Sequence, residues 1–408
     1  MNHFFKVKSL EEVMEWVKDF SLVESELIPV GDAFSRVLAR DLVAKTALPG
    51  FRRATMDGYA VAANSTFGAS ESNPAWLTLA GTISMGDIPG FTLETGQAAK
   101  ISTGGMLPPG ADSVVMVEHA ELIDDASVEI YKSVAPLQNV IDASEDVAKD
   151  ETVLPRGTFI RPQEQGLAAG LGVSEIRVHK RPRVGVISTG DEIVPIEEEP
   201  LPGKIRDINS YTLSGFIREA HAEPLCYGIV KDDPAALQKA LETALEETDM
   251  VLISGGSSVG TRDFTVEAIS SLPDTKILAH GISISPGKPT ILARAGKKPL
   301  WGLPGQVVSA MVVFKIMVLP FLNRLKGLDG RDRTIRVPAL LSRNVASAQG
   351  RREFIRVLLE HQTGRIMAKP VLGKSGLIRT MIHADGLLEI GEHVEGLEKG
   401  ALVDIILL

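Results

Sequence analysis

Cysteine is almost absent from this sequence, which contains a single one, Cys226, in 408 residues. One thiol excludes an intrachain disulfide and a cysteine-rich zinc site, and such scarcity is typical of a reducing compartment. Histidine is also sparse, with eight scattered residues and no His-Glu-x-x-His or His-x-x-Glu-His spacing. We therefore expect no zinc site built from protein side chains alone.

An excess of basic residues is missing as well. The 43 Lys and Arg residues are outnumbered by 52 Asp and Glu residues, which gives a formal net charge of −9. Nucleic acids and anionic membrane surfaces select a basic protein face. Neither is therefore expected as a main partner.

Long apolar segments are also lacking. The longest, residues 307–322, is interrupted by Lys315 and Pro320, and it is shorter than the about 20 residues of a membrane span. Residues 1–8 contain no apolar run of the signal-peptide type. The sequence therefore predicts a cytoplasmic protein without a membrane segment.

The length of the chain and the changes in its hydrophobic pattern predict a multidomain α/β plus β architecture. Ser9 and Glu12 have the spacing of a capping box, and a second helix is predicted over 32–41. Short apolar runs between Gly, Pro, Asn and Asp predict strands from about 55 to 135. From 183 strands and helices alternate, which predicts a parallel sheet, and after 326 short strands return.

We therefore predict four domains. They are a mixed helical N-terminal and linker domain (1–46 and 140–177), a β-rich inserted lobe (47–139), a central three-layer α/β/α parallel-sheet domain (178–326) and a C-terminal β-barrel (327–408).

Four Gly-rich or polar loops follow predicted strands of the α/β domain. They are residues 188–192, 254–260, 285–289 and 302–305. Ligands of open parallel sheets bind beyond the carboxyl ends of the strands, and glycine lets backbone N–H groups approach an anion. Each loop alone reads as a plain turn, but the four together favour a phosphate-binding site. None is a Walker A sequence or a dinucleotide fingerprint.

Carboxylates occur in or beside these loops, at Asp191, Glu192, Asp232, Asp233 and Asp263. Acids next to a phosphate site repel the ligand unless a divalent cation lies between them, and Mg²⁺ commonly bridges carboxylates and phosphates. The alternative for Asp232 and Asp233 is helix capping. The pattern predicts a metal-bridged phosphate pocket.

The order and spacing of several motifs resemble the molybdopterin molybdenumtransferase family, which includes the molybdenum-insertion half of gephyrin. The motifs extend over essentially the whole chain, and they comprise Thr55-Met-Asp-Gly-Tyr-Ala-Val61, Ile101-Ser-Thr-Gly-Gly105, Glu145-Asp146, residues 188–192, Ile208-Asn-Ser-Tyr211, Lys231-Asp-Asp233, residues 254–260 with Asp263, Pro286–Pro289, Gly302–Gly305 and Arg352-Glu-Phe-Ile-Arg356.

The resemblance implies a homodimer of elongated four-domain subunits with a composite active site, in which the α/β domain is similar to molybdopterin adenylyltransferase. The implied reaction takes adenylylated molybdopterin and molybdate and releases AMP and molybdenum cofactor, with Mg²⁺ or another divalent cation. A molybdopterin adenylyltransferase and molybdoenzyme targets are the further partners that it suggests. The alternatives are a tungsten-inserting homologue, a molybdopterin adenylyltransferase and a non-catalytic molybdopterin-binding scaffold.

The resemblance also assigns roles to individual residues. The residues that it implies to be catalytic are Asp57, Thr103, Asp146, Glu192, Asp232 and Asp263. The metal ligands that we predict are Asp191, Glu192, Asp232 and Asp263. The residues predicted to bind substrate are Ser188, Thr189, Gly190, Ser254, Gly255, Gly256, Ser257, Gly260, Pro286, Gly287, Lys288, Pro304, Arg356 and Ser375. Of these, Lys288, Arg356 and Ser375 are implied for the oxyanion.

The sequence departs from the family pattern mainly at cationic positions. Ile141 stands where an Arg is usual, Ser285 replaces a usually basic residue, and Gly281 occupies a position that is frequently basic. Ser144 and the segment 305–309, Gly-Gln-Val-Val-Ser, differ as well. The carboxylates are present while several cations are not, so the departures predict a weaker or differently selective oxyanion subsite.

Overall fold

The computed structural model describes residues 7–255, 264–328, 334–362 and 364–408. Its first helix, Leu10–Glu15, begins at Ser9, whose hydroxyl accepts a hydrogen bond from the Glu12 N–H at 3.1 Å. The Glu12 carboxylate accepts one in return from the Ser9 N–H at 2.9 Å. The predicted capping box is confirmed. A 3-10 turn, Trp16–Asp19, follows the helix.

The linker region is built from short paired strands and one helix. Its elements are the strands Ser25–Pro29, Leu42–Val43, Thr152–Leu154 and Glu175–His179 and the helix Pro162–Gly170. The prediction of a helix over 32–41 was wrong, because only a 3-10 turn, Val30–Asp32, forms there. Ser35 has a φ of 62°, and Val37 and Leu38 form bridges to Phe159 and Val178. Tertiary pairing buries these apolar side chains, and a short apolar pattern cannot distinguish that from a helix.

The inserted lobe is all β, as the sequence predicts. Its six-stranded sheet has the strands, in spatial order, Ser113–Met116, Gly58–Val61, Gln97–Ile101, Ala75–Ile83, Ser127–Ile130 and Ala120–Asp124. A small ladder, Arg53–Ala54 with Val140–Ile141, connects the lobe to the linker. Two apolar clusters cover the two faces of the lobe sheet.

In the described part of the α/β domain, the main sheet has six strands and four helices pack against it, and we number both in chain order. The strands are β1 (Arg183–Thr189), β2 (Glu223–Val230), β3 (Met250–Ser254), β4 (Thr275–His280), β5 (Ile291–Ala295) and β6 (Lys298–Leu303). The helices are α1 (Asn209–Glu219), α2 (Pro234–Glu247), α3 (Phe264–Ser271) and α4 (Val307–Leu325). Cores between the sheet and α1 with α4, and between the sheet and α2 with α3, make the predicted three layers.

The sheet is not entirely parallel, which corrects the prediction. Its order is β2-β1-β3-β6-β5-β4, and β5 pairs antiparallel with both β6 and β4. Because β5 runs in the opposite direction, its amino end lies at the edge where the other strands have their carboxyl ends. The 285–289 loop precedes β5 and therefore reaches that edge from the other side. It follows the short strand Ile284–Ser285, which belongs to the C-terminal sheet.

Helix α4 is longer than the apolar run in the sequence suggests. The helix has 19 residues and a mean hydropathy of 1.7, so by length and composition alone it could cross a membrane, although the apolar stretch 307–322 is shorter than a span. However, 61% of its most apolar window is buried in the protein, and Phe314, Phe321 and Leu322 belong to the core that it shares with the sheet. This packing is that of a core helix.

The C-terminal region forms the predicted barrel. Five strands close into a ring, because Arg352–Gln362 pairs with both Arg365–Pro370 and Gly386–Ile390, while Arg336–Leu341 and Leu402–Leu407 complete the circle. The C-terminal region also contains the strand pair Val345–Ala346 with Gly396–Leu397 and a helical turn, Arg379–Ile382. The short strand pair Ile193–Val194 with Ile205–Arg206 lies in the α/β domain. Phe354 and Leu387 of the barrel join the core of the α/β domain.

Candidate functional site

Three loops meet at the carboxyl edge of the α/β sheet. Gly255, after β3, has a φ of +111°, and a Cβ there would lie 1.9 Å from the Thr189 carbonyl oxygen at the end of β1. A Cβ on Gly305 would lie 3.6 Å from the Gly255 Cα, and the Gly255 N–H donates to the Leu303 carbonyl at 3.3 Å. At Gly255 only glycine permits this packing. The close loops bring the predicted substrate-binding residues Ser188 to Gly190, Ser254, Gly255 and Pro304 into one group.

A buried polar network holds these strand ends in place. The Ser188 hydroxyl donates to Asp207 Oδ1 at 3.0 Å and lies 2.8 Å from the Ser210 hydroxyl, while the Ser210 N–H donates to the same Asp207 oxygen. Asn209, at the start of α1, donates from Nδ2 to Ser254 Oγ at 2.6 Å. The sequence patterns gave no role to Asp207, Asn209 or Ser210, although the motif Ile208-Asn-Ser-Tyr211 was a usable signal.

The predicted metal-binding carboxylates lie on the same edge. Asp232 Oδ1 accepts a hydrogen bond from the Thr189 hydroxyl at 3.0 Å, and the Asp232 N–H donates to Asp191 Oδ1 at 3.4 Å. Glu192 is exposed and lies beside Gly190, where a Cβ would come within 3 Å of its carboxylate. Asp233 caps α2 instead, since its carboxylate accepts from the Ala235 and Ala236 N–H groups. The acidic edge therefore consists of Asp191, Glu192 and Asp232 rather than Asp233.

No self-sufficient metal site is present in the parts of the chain that the structure describes. Within 7–255, 264–328, 334–362 and 364–408, no three His, Cys, Asp or Glu side chains are grouped closely enough to hold an ion. Asp263, Gly256, Ser257 and Gly260, which the sequence places at this edge, lie outside the described residues.

The Pro286–Lys288 segment completes the edge from the β5 side. A Cβ on Gly287 would lie 2.5 Å from Val313 Cγ2 of α4, so this loop packs directly on the helix. The Lys288 side chain is exposed. Among the described residues it makes no hydrogen bond or ion pair, so its ammonium group is available to an anion.

Arg356 and Ser375, which the resemblance implies for the oxyanion together with Lys288, lie in the C-terminal region. Arg356 is 7% exposed, and its guanidinium donates to the Gly373 carbonyl at 2.7 Å and to the Val371 carbonyl at 3.4 Å. Burial lowers the pKa of this guanidinium. The Ser375 carbonyl accepts from the Val308 N–H at 3.0 Å, at the start of α4. Arg356 thus shapes the loop that carries Ser375 to the site.

A second group of predicted residues lies in the inserted lobe. The Asp57 carboxylate accepts hydrogen bonds from the Thr103 N–H at 2.6 Å and from the Thr103 hydroxyl at 3.1 Å. Asp146 is exposed, and its backbone N–H donates a hydrogen bond to the Leu48 carbonyl. Nearby, Arg52 pairs with Asp142 at 2.6 Å, which lowers the pKa of Asp142.

The structure therefore divides the predicted residues between two places. The hydrogen bonds of Asp57 and Thr103 remain within the lobe, which has its own apolar cores. Ser188, Thr189, Ser254 and the acidic edge belong to the α/β sheet.

Comparison with known proteins places the whole chain in one family. Residues 8–172 match the model of the MoeA N-terminal region (domain I and II), residues 185–324 that of a "Probable molybdopterin binding domain", and residues 338–408 that of the MoeA C-terminal region (domain IV).

Individual proteins agree with these matches over nearly their full length. The chain is 35% identical to molybdopterin molybdenumtransferase 2 of Mycobacterium tuberculosis over 93% of this chain and 94% of that protein. It is 30% identical to the molybdopterin molybdenumtransferase of Bacillus subtilis over 94% and 90%, respectively. A solved molybdopterin biosynthesis MoeA protein of Pyrococcus horikoshii superposes with a TM-score of 0.81 at 37% identity, covering 98% of this chain and 99% of that one. The chain belongs to the molybdopterin molybdenumtransferase family.

Proposed function

We propose that this protein acts in molybdenum cofactor biosynthesis by inserting molybdenum from molybdate into adenylylated molybdopterin, with release of AMP and molybdenum cofactor. The observation that carries the proposal is the acidic edge of Asp191, Glu192 and Asp232 beside three close-packed strand-end loops. That arrangement suits a phosphorylated ligand that arrives with a cation. The names of the full-length relatives support the same reaction class.

The residues of this chain divide the work by their chemistry. Backbone N–H groups of the strand-end loops hold and orient the phosphates, because they donate hydrogen bonds without carrying charge. The Ser188 and Thr189 hydroxyls hold the loops in place instead, since they donate to Asp207 and Asp232. Lys288 supplies a free positive charge for an anion at the edge. Asp57 stays ionised, since its hydrogen bonds from Thr103 lower its pKa. Preorganised groups of this kind stabilise charge that develops when the phosphoanhydride bond breaks.

The donor set suits Mg²⁺, although no ion is included in the structure. Mg²⁺ commonly takes one or two protein carboxylates and completes its shell with water and phosphate oxygens, so a group of three acids is not required. Asp191, Glu192 and Asp232 would hold it, and Asp263 is the fourth predicted ligand. When bound, the cation would neutralise phosphate charge that the carboxylates otherwise repel.

We further propose a homodimer with a composite active site. Asp57 and Thr103 lie on a lobe with separate cores from the sheet that carries Asp232. A two-fold axis could bring the lobe of one subunit to the sheet edge of the other. A cytoplasmic location, a molybdopterin adenylyltransferase as the supplier of substrate and molybdoenzymes as acceptors belong to the same proposal.

Three alternatives differ from this proposal. A molybdopterin adenylyltransferase would need only the α/β domain, so the lobe and the barrel argue against it. A scaffold would bind molybdopterin without turnover. A tungsten-inserting homologue would use tungstate in place of molybdate. The assay supplies purified protein with adenylylated molybdopterin, Mg²⁺ and either oxyanion, and measures AMP release and metal-loaded cofactor. Oxyanion-dependent AMP release supports the proposal, whereas binding without release supports a scaffold.

A further inference from the structure

Asn209 connects two of the loops at the sheet edge through its side-chain amide. Nδ2 donates to Ser254 Oγ at 2.6 Å, at the end of β3, and to the Gly305 carbonyl at 2.9 Å, between β6 and α4. The residue is 7% exposed. Both protons of the amide are therefore used to hold two loops that leave different strands.

The segment that carries Asn209 also holds the third loop. Asp207 and Ser210 bind the Ser188 hydroxyl at the end of β1, with distances of 3.0 and 2.8 Å. The start of α1 is thus attached to the ends of β1, β3 and β6 at once. Because the backbones of these loops are in direct contact at Gly255, a displacement of one loop moves its neighbours.

The carbonyl oxygen of the same amide is left without a partner. Asn209 Oδ1 is buried, and no donor among the described residues reaches it. A buried carbonyl oxygen without a hydrogen bond lowers the stability of the folded state. We therefore attribute the presence of Asn209 to the two hydrogen bonds that its Nδ2 donates. A carboxylate of equal size would lack those donors and would face the Gly305 carbonyl, while a lysine would add charge beside the phosphate site.

We propose that Asn209 is a positioning residue, which sets the separation of the 254–255 and 302–305 loops and thereby the geometry of the adenylate-binding surface. The identity of the ligand rests on the function proposed above. The effect of Asn209 on the loops does not, because it follows from hydrogen bonds within the chain.

The test compares Asn209→Asp with Ser214→Ala in the full-length protein. Ser214 lies on the same helix and is 4% exposed, but its hydroxyl faces Cys226 Sγ at 3.2 Å and not the loops. For Asn209→Asp we expect faster amide hydrogen exchange in peptides covering 302–306 and AMP binding weaker by about 10-fold to 100-fold, the scale of losing a supporting hydrogen bond. Ser214→Ala should change neither. Equal effects of the two variants would overturn the proposal.

The pH dependence separates hydrogen bonding from packing. A protonated carboxyl regains one donor, so the AMP affinity of Asn209→Asp relative to wild type should recover in part as the pH is lowered. A loss that does not change with pH would overturn the proposal. If Asn209→Asp fails to fold, Asn209→Ala, which buries no charge, repeats the exchange and binding measurements, and unchanged values would again overturn it.

Hydrogen exchange needs no ligand, so it decides the role of Asn209 even if the wild type neither binds AMP nor inserts molybdenum. A wild type that neither binds AMP nor inserts molybdenum would contradict the proposed function, but not the role of Asn209.

Discussion

Thr103 holds the carboxylate of Asp57 with two hydrogen bonds, one from its backbone N–H at 2.6 Å and one from its hydroxyl at 3.1 Å. These bonds lower the pKa of Asp57, and the backbone N–H contributes most. Hydrogen bonds to an ionised carboxylate favour that form over the neutral acid. A charged group is thus maintained on an exposed loop of the lobe.

Replacing Thr103 with Val should raise the pKa of Asp57 part of the way to its ordinary value, because the hydroxyl is lost and the N–H is kept. The stability from this pair is present above the unfolded pKa and is lost as the pH falls through the lower folded pKa. An NMR titration of the Asp57 carboxyl carbon in both proteins measures the shift. Identical midpoints would contradict a role of the hydroxyl.

Mixing two inactive variants tests the composite site. Asp57→Ala removes the lobe carboxylate, and Asp232→Ala removes the sheet-edge carboxylate that accepts from Thr189. If one site uses both subunits, exchange between the two variants produces heterodimers in which one site has both carboxylates. We expect about a quarter of wild-type insertion activity at full exchange of an equal mixture, since half of the molecules are then heterodimers with one intact site each. No activity after mass spectrometry has confirmed exchange would place both residues in the site of a single chain.

A lysine introduced at position 285 should form an ion pair with Glu353. The Ser285 hydroxyl already donates to Glu353 Oε1 at 3.4 Å, so Ser285→Lys alone should change the molybdate concentration for half-maximal insertion by less than about threefold. With Glu353→Gln added, the ammonium is free for the oxyanion, and that concentration should fall by about tenfold, the scale of one charge-assisted hydrogen bond. Glu353→Gln alone is the control. If the double variant needs the same molybdate concentration as this control, position 285 does not lack a positive charge that the oxyanion site requires.

Arg356 should act mainly on stability. Its guanidinium is buried and donates to the carbonyls of Val371 and Gly373, so Arg356→Ala leaves both unpaired beside a cavity. We expect the free energy of unfolding to fall by about 2–4 kcal/mol in urea denaturation. The exposed Arg365, on the neighbouring strand, is the matched control, and its replacement by Ala should change stability by less than about 0.5 kcal/mol. Unchanged stability with a higher molybdate requirement would instead favour direct oxyanion binding by Arg356.

Gly255 should tolerate no side chain. In Gly255→Ala the new Cβ would overlap the Thr189 carbonyl, with a separation of 1.9 Å before relaxation, and φ is +111°. We expect a loss of AMP affinity of at least about tenfold from the displaced loops. Gly215→Ala, on α1 with no atom within 4 Å of the new Cβ, should keep affinity and stabilise the helix by about 0.5–1 kcal/mol. Calorimetry of AMP binding and thermal denaturation check both variants.

Local signals were sufficient for many elements of the fold. The capping box at Ser9, the Asp233 cap before Pro234 and the strand–helix alternation after 183 are written in neighbouring residues, and the structure contains all three. Family motifs were similarly informative because their order extends along the chain, and the matched relatives cover it almost completely. Such features depend on residue spacing, which a sequence states directly.

Long-range pairing decided the rest. The segment 32–41 has a helical apolar pattern, yet Val37 and Leu38 form bridges to Phe159 and Val178, more than a hundred residues away. The direction of β5 is an exception, because a local signal for it was present and was missed. Only Gly296 and Lys297 separate β5 from β6, and so short a turn joins antiparallel strands. This direction brings the 285–289 loop to the site. The guanidinium of Arg356 is turned to the carbonyls of Val371 and Gly373 by the packing of the barrel.

The amino-acid sequence specifies which chemical groups this protein has: the carboxylates, the glycines of the loops and the motifs of its family. Which of these groups are free to act depends on how the chain packs. Asp233 is used as a cap, Arg356 as a support for a loop, and Asn209 as a link between strand ends. The physical reason is that a polar group satisfied within the fold is no longer available to a ligand, and its partners lie far away in the chain.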